Sequence, residues 1–420
     1  MIRKSWTLIA VFLGILPHAA GQENLTLDQA VAEAVQKNLG LMAERANLAL
    51  ADARIITARL RPNPVLSVSG DHLDILGTGY NEINGAGPPE YSVRMDYLLE
   101  RGGKRRLRTE AAQLARSTSE LEFQDAVRTV ALDIAGIYVD AQLAQEGLRL
   151  ARENLSYFQE IVRVNETRLK AGEIAEVELL RSRLATLNQR NLVRQAESRW
   201  RAALTRLQTA IGRPTLSRSL QLSADLRRDS TYPARDQALQ TALQRRPDLL
   251  ALRQDYARAG AEVRSQEAQA KVDPAIGTEY RRQQGVNGTG NSMGFFLAVP
   301  LPVFNRNQGE IERARQEQRQ LDLRARHLEI VIAGEIDVAH EQVQAAETLL
   351  RNFEGEMLDQ AQEVRRVTEF SYRRGHVTLL ELLDAQRAYN ETFQGYIEAR
   401  AEYARSLYLL DSVSGRVVTQ

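Results

Sequence analysis

Residues 28–43 read DQAVAEAVQKNLGLMA, and the pattern returns at residues 236–251 as DQALQTALQRRPDLLA. Two further landmarks recur in the same order, each at a distance of about 200 residues. RPNP at Arg61–Pro64 returns as KVDP at Lys271–Pro274, and LKAGEIAEVELL around Gly172 returns as RRGHVTLLELL around Gly375. A duplication of such long period indicates two structurally equivalent units packed side by side.

The composition is typical of long, solvated helices rather than of two ordinary globular cores. Of the 420 residues, 26% are charged and 6% are aromatic, and the mean hydropathy is −0.37. The chain has no cysteine, which excludes disulfides, thiolate metal sites, cysteine nucleophiles and lipid attachment through cysteine. A formal net charge of +1 provides no basic field for nucleic acid.

The first residues, 1–21, are predicted to be a signal peptide. Arg3 and Lys4 precede an apolar run at 6–16, and small residues follow before the expected cleavage site. The alternative, an uncleaved anchor, is disfavoured because the run is short for a bilayer span. After Gly21 no apolar stretch reaches the length of a transmembrane helix, so we expect any entry into a membrane to use strands.

Each copy is predicted to contain a helix, a strand pair, a very long helix, a short turn and a long return helix. The expected first helix is a single one over Leu25–Leu60, begun by Thr26 and Asp28. The predicted units are a first repeat at 22–212, a linker or equatorial segment at 213–232, and a second repeat at 233–420. Within the repeats, strand pairs are expected at about 62–99 and 274–303, and helical hairpins at about 103–212 and 309–415.

The strand pairs show alternation of apolar and polar residues, which predicts strands with one face of each kind. Gly/Asn-rich loops are expected between the paired strands, at Gly77–Pro89 and at Gly285–Asn291. The alternating positions are Leu66, Val68, Gly70, Tyr91, Val93, Met95 and Tyr97 in the first copy, and Ile276, Thr278, Tyr280, Phe295, Leu297 and Val299 in the second.

The long helices carry apolar residues at alternating steps of three and four. This rhythm runs from Val127 to Leu169 in the first copy and from Ile336 to Ser371 in the second. A sustained period of 3.5 residues predicts left-handed supercoiling against a neighbour, for which the return helix after each tip glycine is the natural candidate. The uninterrupted stretch from Gly103 to Lys170 predicts a helix about 100 Å long.

Four strands cannot close a barrel, and open sheet edges are not tolerated in lipid. Closure therefore requires at least two chains, and three chains would supply twelve strands. Two helical hairpins per chain would continue the strand pore as a helical tube. The expected architecture is a conduit.

Several segments also resemble the TolC family of outer-membrane efflux factors. They are LLERGGKRRLR at 98–108, VPLPVFNRNQGEIERA at 299–314 and YRRGHVTLLELLDAQ at 372–386, set within the duplicated chain. The first two resemble the cobalt–zinc–cadmium resistance branch more than the multidrug branch. The resemblance covers essentially the whole mature chain, apart from the acylated cysteine that some members carry.

That resemblance implies a mainly α fold with a small β part. It implies a homotrimer with a 12-stranded outer-membrane β-barrel, embedded in outer-membrane lipid of a Gram-negative bacterium, and an α-helical tunnel that places most of the mass in the periplasm. It implies a passive exit duct, with no enzymatic activity and no cofactor. Such a duct docks on a periplasmic adaptor (membrane fusion) protein, which links it to an inner-membrane pump of the resistance–nodulation–division (RND) type.

Two alternatives remain open from the sequence. The first is a duct for multidrug efflux or type I secretion, since nothing in the chain selects a cargo. The second, from another class, is a secreted structural coiled-coil protein. It predicts a soluble elongated species, whereas the duct predicts a trimer that requires detergent.

The turns at the tips of the helical hairpins are the candidate adaptor-docking surface. Gly172 with Glu173, and Gly375 with His376, interrupt the heptad rhythm in the manner of a helix-ending glycine with positive φ. Turn formation alone explains the glycines, and the resemblance adds the docking role.

The helix after Gly375 carries the candidate periplasmic gate. Glu381 and Asp384 are spaced to share one helical face, and in a trimer each would form a ring of three carboxylates that attracts cations. The resemblance places such a ring, together with Tyr372, at the narrow entrance. The family pattern has an arginine where this chain has Val377, so this chain departs from the hydrogen-bond network that closes the entrance in the family. Possible cross-hairpin partners are Glu178 and Arg181, and ordinary solvated helix charges are the alternative interpretation.

The segments between strand and long helix are the candidate membrane-interface turns. Glycines there would ease the change of direction, and basic side chains could meet anionic lipid headgroups. The residues are Arg101, Gly102, Gly103 and Lys104 in the first copy, and Asn305, Arg306 and Asn307 in the second.

The histidines do not form a ligand cluster in the sequence. His72, His327, His340 and His376 are widely separated, and His18 belongs to the predicted signal peptide. We therefore expect no metal site. No Ser/His/Asp order, phosphate loop or cofactor fingerprint is present, so we expect no catalytic residues.

Overall fold

The computed structural model describes residues 24–73, 75–77, 89–217, 220–223, 225–285, 288–416 and 418. The predicted signal peptide and most of the loop predicted at 77–89 lie outside these ranges. The elements in chain order are β1 (Asn24–Leu25), α1 (Leu27–Lys37), α2 (Leu39–Arg59), β2 (Val65–Asp71), β3 (Glu90–Leu98), α3 (Lys104–Lys170), α4 (Glu176–Ala210), β4 (Gln221–Leu222), α5 (Arg235–Arg245), α6 (Pro247–Gln269), β5 (Ala275–Gly285), β6 (Gly288–Ala298), α7 (Gln308–Asn352), a π-helical turn (Phe353–Met357), α8 (Leu358–Arg373) and α9 (Leu379–Val413).

The duplication is visible as two copies of one element order. Each copy has two short helices, a strand pair, a long helix and a return helix, so the expected class of mainly α with a small β part is confirmed. The return helices α4 and α9 are both 35 residues long. Each is followed by a glycine with positive φ, Gly212 at 82° and Gly415 at 70°.

The four long strands form one sheet in the order β2-β3-β5-β6, so the two copies meet where β3 pairs antiparallel with β5. The register places all the predicted apolar positions within the strands on the same face, which confirms the alternation there, while Val299 lies beyond the end of β6. This face is widely exposed: Val68 is 72% exposed and Phe295 86%. The loop predicted at 285–291 is wrong, because β5 and β6 remain paired up to Gly285 and Gly288. The apolar face includes Leu66, Val68, Tyr91, Val93, Met95, Tyr97, Ile276, Tyr280, Met293, Phe295 and Leu297, together with Gly70, Thr278 and, near the end of β5, Arg282.

The opposite face of the sheet is rich in paired charges and also carries Phe296, whose ring centre lies 4.2 Å from the Arg94 guanidinium. The Nε atom of Arg94 lies 2.8 Å from a carboxylate oxygen of Asp96, and Arg281 lies 2.8 Å from Glu279. Gly277 faces Asp96, and a Cβ atom at this position would collide with its carboxylate. The sheet therefore separates an apolar surface from a charged one.

The expected single helix at Leu25–Leu60 is instead two helices that meet at Asn38. The Asn38 backbone is extended, with φ −66° and ψ 116°, and its side chain accepts the N–H of Leu41 and donates to the carbonyl of Ala210. Arg246 holds the equivalent place between α5 and α6, with φ −63° and ψ 121°, and donates to the carbonyl of Val413 at 3.5 Å. In both copies, therefore, the residue at this break hydrogen-bonds to the end of the return helix.

The long helix α3 packs on α2 and α9 as well as on two principal neighbours, α4 and α6. Its distal part packs on α4, as predicted, but its part near the sheet packs on α6 of the other copy. Arg264 pairs with Glu110 at 2.6 Å across this second contact. The predicted neighbour, the return helix, is confirmed for the distal part of α3 but not for the part near the sheet. Among the described residues no helix combines the length and apolar character that a bilayer crossing requires.

The second copy differs from the first by a π-helical turn at Phe353–Met357. Leu148 in α3 and Leu350 in α7 occupy equivalent buried positions. The segment from Leu350 to the helix end at Arg373 is one residue longer than the corresponding segment from Leu148 to Lys170. A single inserted residue accommodated as a π-bulge explains this difference. The continuous heptad predicted as far as Ser371 is therefore interrupted.

Glycine-to-alanine substitutions at Gly212 and Gly172 should differ in cost although both residues have left-handed backbones. At Gly172 (φ 73°) an added Cβ meets nothing within 4 Å, so we expect a loss of about 1 kcal/mol from backbone strain alone. At Gly212 (φ 82°) the Cβ would lie 2.5 Å from the carbonyl of Lys37, so Gly212→Ala should lower the thermal midpoint clearly further. Circular dichroism melts of the purified protein test this, and equal midpoints would contradict the close packing at Gly212.

Candidate functional site

The two hairpin tips have the same backbone turn. Gly172 and Gly375 have φ values of 73° and 76°, and the following N–H groups of Glu173 and His376 donate back to helix carbonyls at 2.9 Å. This is a glycine C-cap of the Schellman type. All four residues are exposed. The turn interpretation is thus observed, and the tips leave these side chains accessible.

Tyr372 does not face solvent but lies in a small core between the hairpins, which we call the distal cluster (Ile161, Tyr372, Leu379 and Leu382). Its hydroxyl donates to Oδ1 of Asn165 at 2.6 Å. Burial raises the pKa of Tyr372, so the hydroxyl remains protonated and able to donate. The Nδ2 atom of Asn165 has no partner among the described residues.

Arg168 is a residue of this region that sequence reasoning missed. Its Nη1 atom donates to the carbonyl of Tyr372 at 3.1 Å, and its guanidinium lies 5.4 Å from the centre of the tyrosine ring. Its Nε atom is 3.3 Å from a carboxylate oxygen of Glu173. Gly375 lets Arg168 approach, since an added Cβ would lie 3.2 Å from its Nη2. Arg168 lies within one turn of the α3 end, but only the fold brings it to the other hairpin.

A second polar layer joins the hairpins nearer the sheet. The Nε2 atom of buried Gln386 donates to Asn154 and to Asn390, both at 3.0 Å, whereas its Oε1 atom has no partner among the described residues. This layer borders a groove of about 820 Å³ between α3, α4 and α9. The distal halves of the hairpins are therefore joined partly through incompletely satisfied amides.

Glu381 and Asp384 are both exposed near the start of α9, but their surroundings differ. Glu381 belongs to a capping box, in which its carboxylate accepts the N–H of Thr378 at 2.6 Å. These hydrogen bonds from Thr378 lower the pKa of Glu381. Asp384 has only a 3.9 Å contact with Arg387 and keeps 59% of its side chain exposed. Asp384 is the less neutralised of the two carboxylates.

Glu178 and Arg181 lie on α4 at positions equivalent to Glu381 and Asp384. Within the described part of the chain, neither forms an ion pair with the two acidic residues of α9. The structure of one chain thus does not bring the suggested cross-hairpin partners together.

The first strand-to-helix junction corrects the proposed lipid contact of Lys104. Its ammonium group is buried, lies 2.6 Å from Asp273 and donates to the carbonyl of Lys271 at 2.8 Å. The backbone N–H of Arg101 donates to the same carboxylate at 2.8 Å. Lys104 therefore joins the two copies and is not free for headgroups, because the KVDP turn of the second copy covers it.

The second junction is built by asparagines. Asn307 has a left-handed backbone (φ 62°), and its Nδ2 atom donates to the carbonyl of Gln266 at 2.8 Å. Asn305 accepts the N–H of Asn307 at 2.8 Å, while the side chain of Arg306 remains exposed. Gly102 and Gly103 fill the corresponding turn of the first copy with φ values of 72° and 73°.

Among the described residues, no group of three or more His, Asp or Glu side chains is placed to hold a metal ion. His340 packs edge-on against Tyr232, with ring centres 5.6 Å apart, and His376 is alone at its tip. The chemical features of the region are therefore exposed carboxylates, paired amides and tip turns.

Comparison with known proteins identifies a family that the chain matches. The family model for "Outer membrane efflux protein" matches residues 30–213 and 238–416, one match per copy. The chain is 23% identical over 393 residues to the cobalt-zinc-cadmium resistance protein CzcC of Cupriavidus metallidurans, covering 93% of this chain and 90% of that protein. It is 25% identical over 379 residues to the pyoverdine export outer membrane protein OpmQ of Pseudomonas putida, covering 86% and 80%.

A solved structure shows the same fold. The Campylobacter jejuni CmeC outer membrane channel superposes with a TM-score of 0.73 at 16% identity, over the whole of this chain (100%) and 94% of that chain. This similarity extends to the strand pairs and to both helical hairpins.

Tyr372→Phe should weaken the contact between the hairpins. The substitution removes the donor to Oδ1 of the buried Asn165, and leaving such a group unsatisfied costs about 1–3 kcal/mol. Tyr389→Phe is the matched control on the same hairpin, because Tyr389 contacts Phe393 through its ring. Thermal unfolding should show a lower midpoint for Tyr372→Phe only, and equal midpoints would contradict a stabilising role for this hydrogen bond.

Proposed function

The chain belongs to the outer membrane efflux protein family, and we propose that it is the passive exit duct of a tripartite efflux system that exports heavy-metal cations. The observation that carries this proposal is the two-faced sheet. All four long strands contribute most of their large apolar residues to one exposed face, whereas the face that holds Arg94, Asp96, Glu279 and Arg281 is rich in charge. A wall between lipid and a water-filled passage requires these two surfaces.

The sheet also supports a trimer. Its outer strands β2 and β6 each have one unpaired edge, and such edges are not tolerated in lipid. Pairing β6 of one copy with β2 of the next would remove every edge, and three chains would close a cylinder of twelve strands. At about 1.5 Å per residue, the 67 residues of α3 would extend the passage by about 100 Å into the periplasm of a Gram-negative cell.

The tips are the proposed contact with a periplasmic adaptor. Gly172, Glu173, Gly375 and His376 lie at the ends of the two hairpins farthest from the sheet, and their side chains are exposed. The adaptor would connect the duct to an RND-type pump in the inner membrane. Since the pump supplies the driving force, the duct itself needs neither catalysis nor a cofactor.

Heavy-metal cations are the proposed cargo. The similarity to the cobalt-zinc-cadmium resistance protein covers 93% of this chain, and the GGKR and PLPVFNRNQG segments resemble the same branch. A duct that bound its cargo tightly would release it slowly, so a metal cluster is not required. The rival cargo is an organic compound, favoured by the similarity to a pyoverdine export protein.

The proposed gate is the carboxylate pair on α9, with Asp384 as its main charge. In a trimer each residue contributes three copies around the axis, and close carboxylates favour cations. Glu381 serves first as a helix cap, so its contribution to the ring is smaller. Tyr372 and Arg168 act indirectly by holding the two tips together. Glu178 and Arg181 could meet these carboxylates only across a chain boundary.

Deletion of the gene should reduce growth on graded cobalt, zinc or cadmium salts more than on graded drugs. Complementation with a tagged copy should restore tolerance, and the tagged protein should be recovered as a trimer that requires detergent. Loss of drug tolerance alone would contradict the metal assignment. Recovery of a stable soluble monomer would instead favour the secreted coiled-coil alternative.

Glu381→Gln combined with Asp384→Asn should raise ion leak and reduce block by divalent cations several-fold in planar bilayers. Glutamine preserves the cap, since the capping box of α1 already uses Gln29 at the same position. The control is Glu391→Gln, an exposed carboxylate farther along α9. Unchanged conductance and block in the double variant would remove these residues from the gate.

A further inference from the structure

The connection from strand to long helix is four residues longer in the second copy than in the first. Both connections end on a residue with a left-handed backbone, Gly103 in one and Asn307 in the other. Between strand end and that residue lie residues 99–102 in the first copy and residues 299–306 in the second. The longer connection contains an apolar stretch, VPLPVF at 299–304, for which the shorter one has no room.

This stretch projects its large side chains into solvent. Leu301 is 79% exposed, Val303 63% and Phe304 91%. Phe304 is the most exposed of the large apolar side chains in the described chain. Soluble surfaces seldom present several such side chains in succession, so this patch indicates a surface that something covers.

The stretch continues the apolar face of the sheet beyond the last paired residue. Phe295 and Leu297 belong to that face, and Val299 and Leu301 follow at the same spacing of two. Pro300 and Pro302 occupy the intervening positions. Because proline restricts the preceding residue to extended backbone, the alternation is held as far as Leu301 without a neighbouring strand. The chain then turns at Pro302, where the N–H of Val303 donates to the carbonyl of Leu301 at 2.9 Å.

Positive charge lies directly beside the apolar stretch. Arg306 is exposed, and its side chain donates to the carbonyl of Pro302 at 3.4 Å, which folds it back over the segment. Arg106, at the start of α3 and so at the other strand-to-helix junction, keeps 78% of its side chain exposed, with a 3.9 Å contact to Glu110. An apolar wedge with an arginine at its border is complementary to acyl chains bordered by phosphates.

We propose that residues 299–304 insert into the membrane leaflet nearest the helices and anchor the duct in a phospholipid bilayer. The inference rests on the proposed function, because it takes the apolar face of the sheet as the lipid-facing one. The exposed apolar side chains of this segment add anchorage to that of the strands. Leu301 and Phe304 enter the acyl region, and Arg306 meets lipid phosphates.

The absence of cysteine makes the test direct, since a single introduced cysteine can carry a nitroxide spin label. Phe304→Cys, and separately Leu301→Cys, would be labelled in the full chain and reconstituted into phosphatidylethanolamine and phosphatidylglycerol vesicles. Phe295→Cys on the sheet face is the membrane control. Arg163→Cys on α3, whose side chain is 76% exposed, is the water control. Size and thermal midpoint would verify that each variant is assembled.

The readout is the ratio of collisions with oxygen, which concentrates in acyl chains, to collisions with a water-soluble nickel complex. We expect this ratio at 304 and 301 to exceed that at 163 several-fold and to approach that at 295. A ratio like that at 163 would overturn the anchor, and exclusion of both reagents would overturn it in favour of cover by a second copy. In either case a high ratio at 295 would leave the proposed function standing. A low ratio at 295 would contradict the lipid-facing sheet and the duct with it.

Discussion

The antiparallel pairing of β3 with β5 is the constraint on which the rest of the structure depends. It converts two hairpins of marginal size into one sheet, and it obliges both copies to begin their long helices at the same end. The buried pair of Lys104 with Asp273 reinforces this junction directly below the sheet. An ion pair in such a place loses hydration. The hydrogen bonds from the N–H of Arg101 to Asp273 and from Lys104 to the carbonyl of Lys271 offset part of that loss. This arrangement fixes the orientation of the two copies rather than adding to the net stability of the fold.

A chain with low mean hydropathy can still present an apolar surface suited to lipid, because its exposed apolar side chains are concentrated on the sheet. Most of the exposed apolar side chains of the sheet lie on one face, whereas the helices bury theirs in seams between hairpins. The same segregation explains the family similarity at low sequence identity. What must be retained is the alternation in the strands and the heptad in the helices, and many residues satisfy either pattern.

The periodicity of the sequence predicts much of this fold, but it does not predict the places where one side chain determines the local structure. The strand faces and the long helices follow from spacing alone. The break at Asn38 was missed because an asparagine inside a helical pattern is ambiguous until its amide reaches Ala210 from the other end of the repeat. Lys104 looked like a surface cation, because nothing local reveals that a turn of the second copy covers it. Arg168 was missed for the same reason, since its partner Tyr372 is distant in sequence.

The π-helical turn at Phe353–Met357 has a consequence for the symmetry of an assembled tube. On the sheet side of this turn the two long helices present equivalent faces, so three chains would approximate six identical staves. One residue of an α-helix corresponds to about 100° of rotation, and a π-bulge absorbs such an offset locally. Beyond the turn the two hairpins are therefore back in phase, and side chains set them apart, with His376 and Val377 standing where the first copy has Glu173 and Ile174. In the proposed trimer the helical backbone would stay nearly sixfold along its length, so any difference in task between alternate hairpins would rest on these side chains.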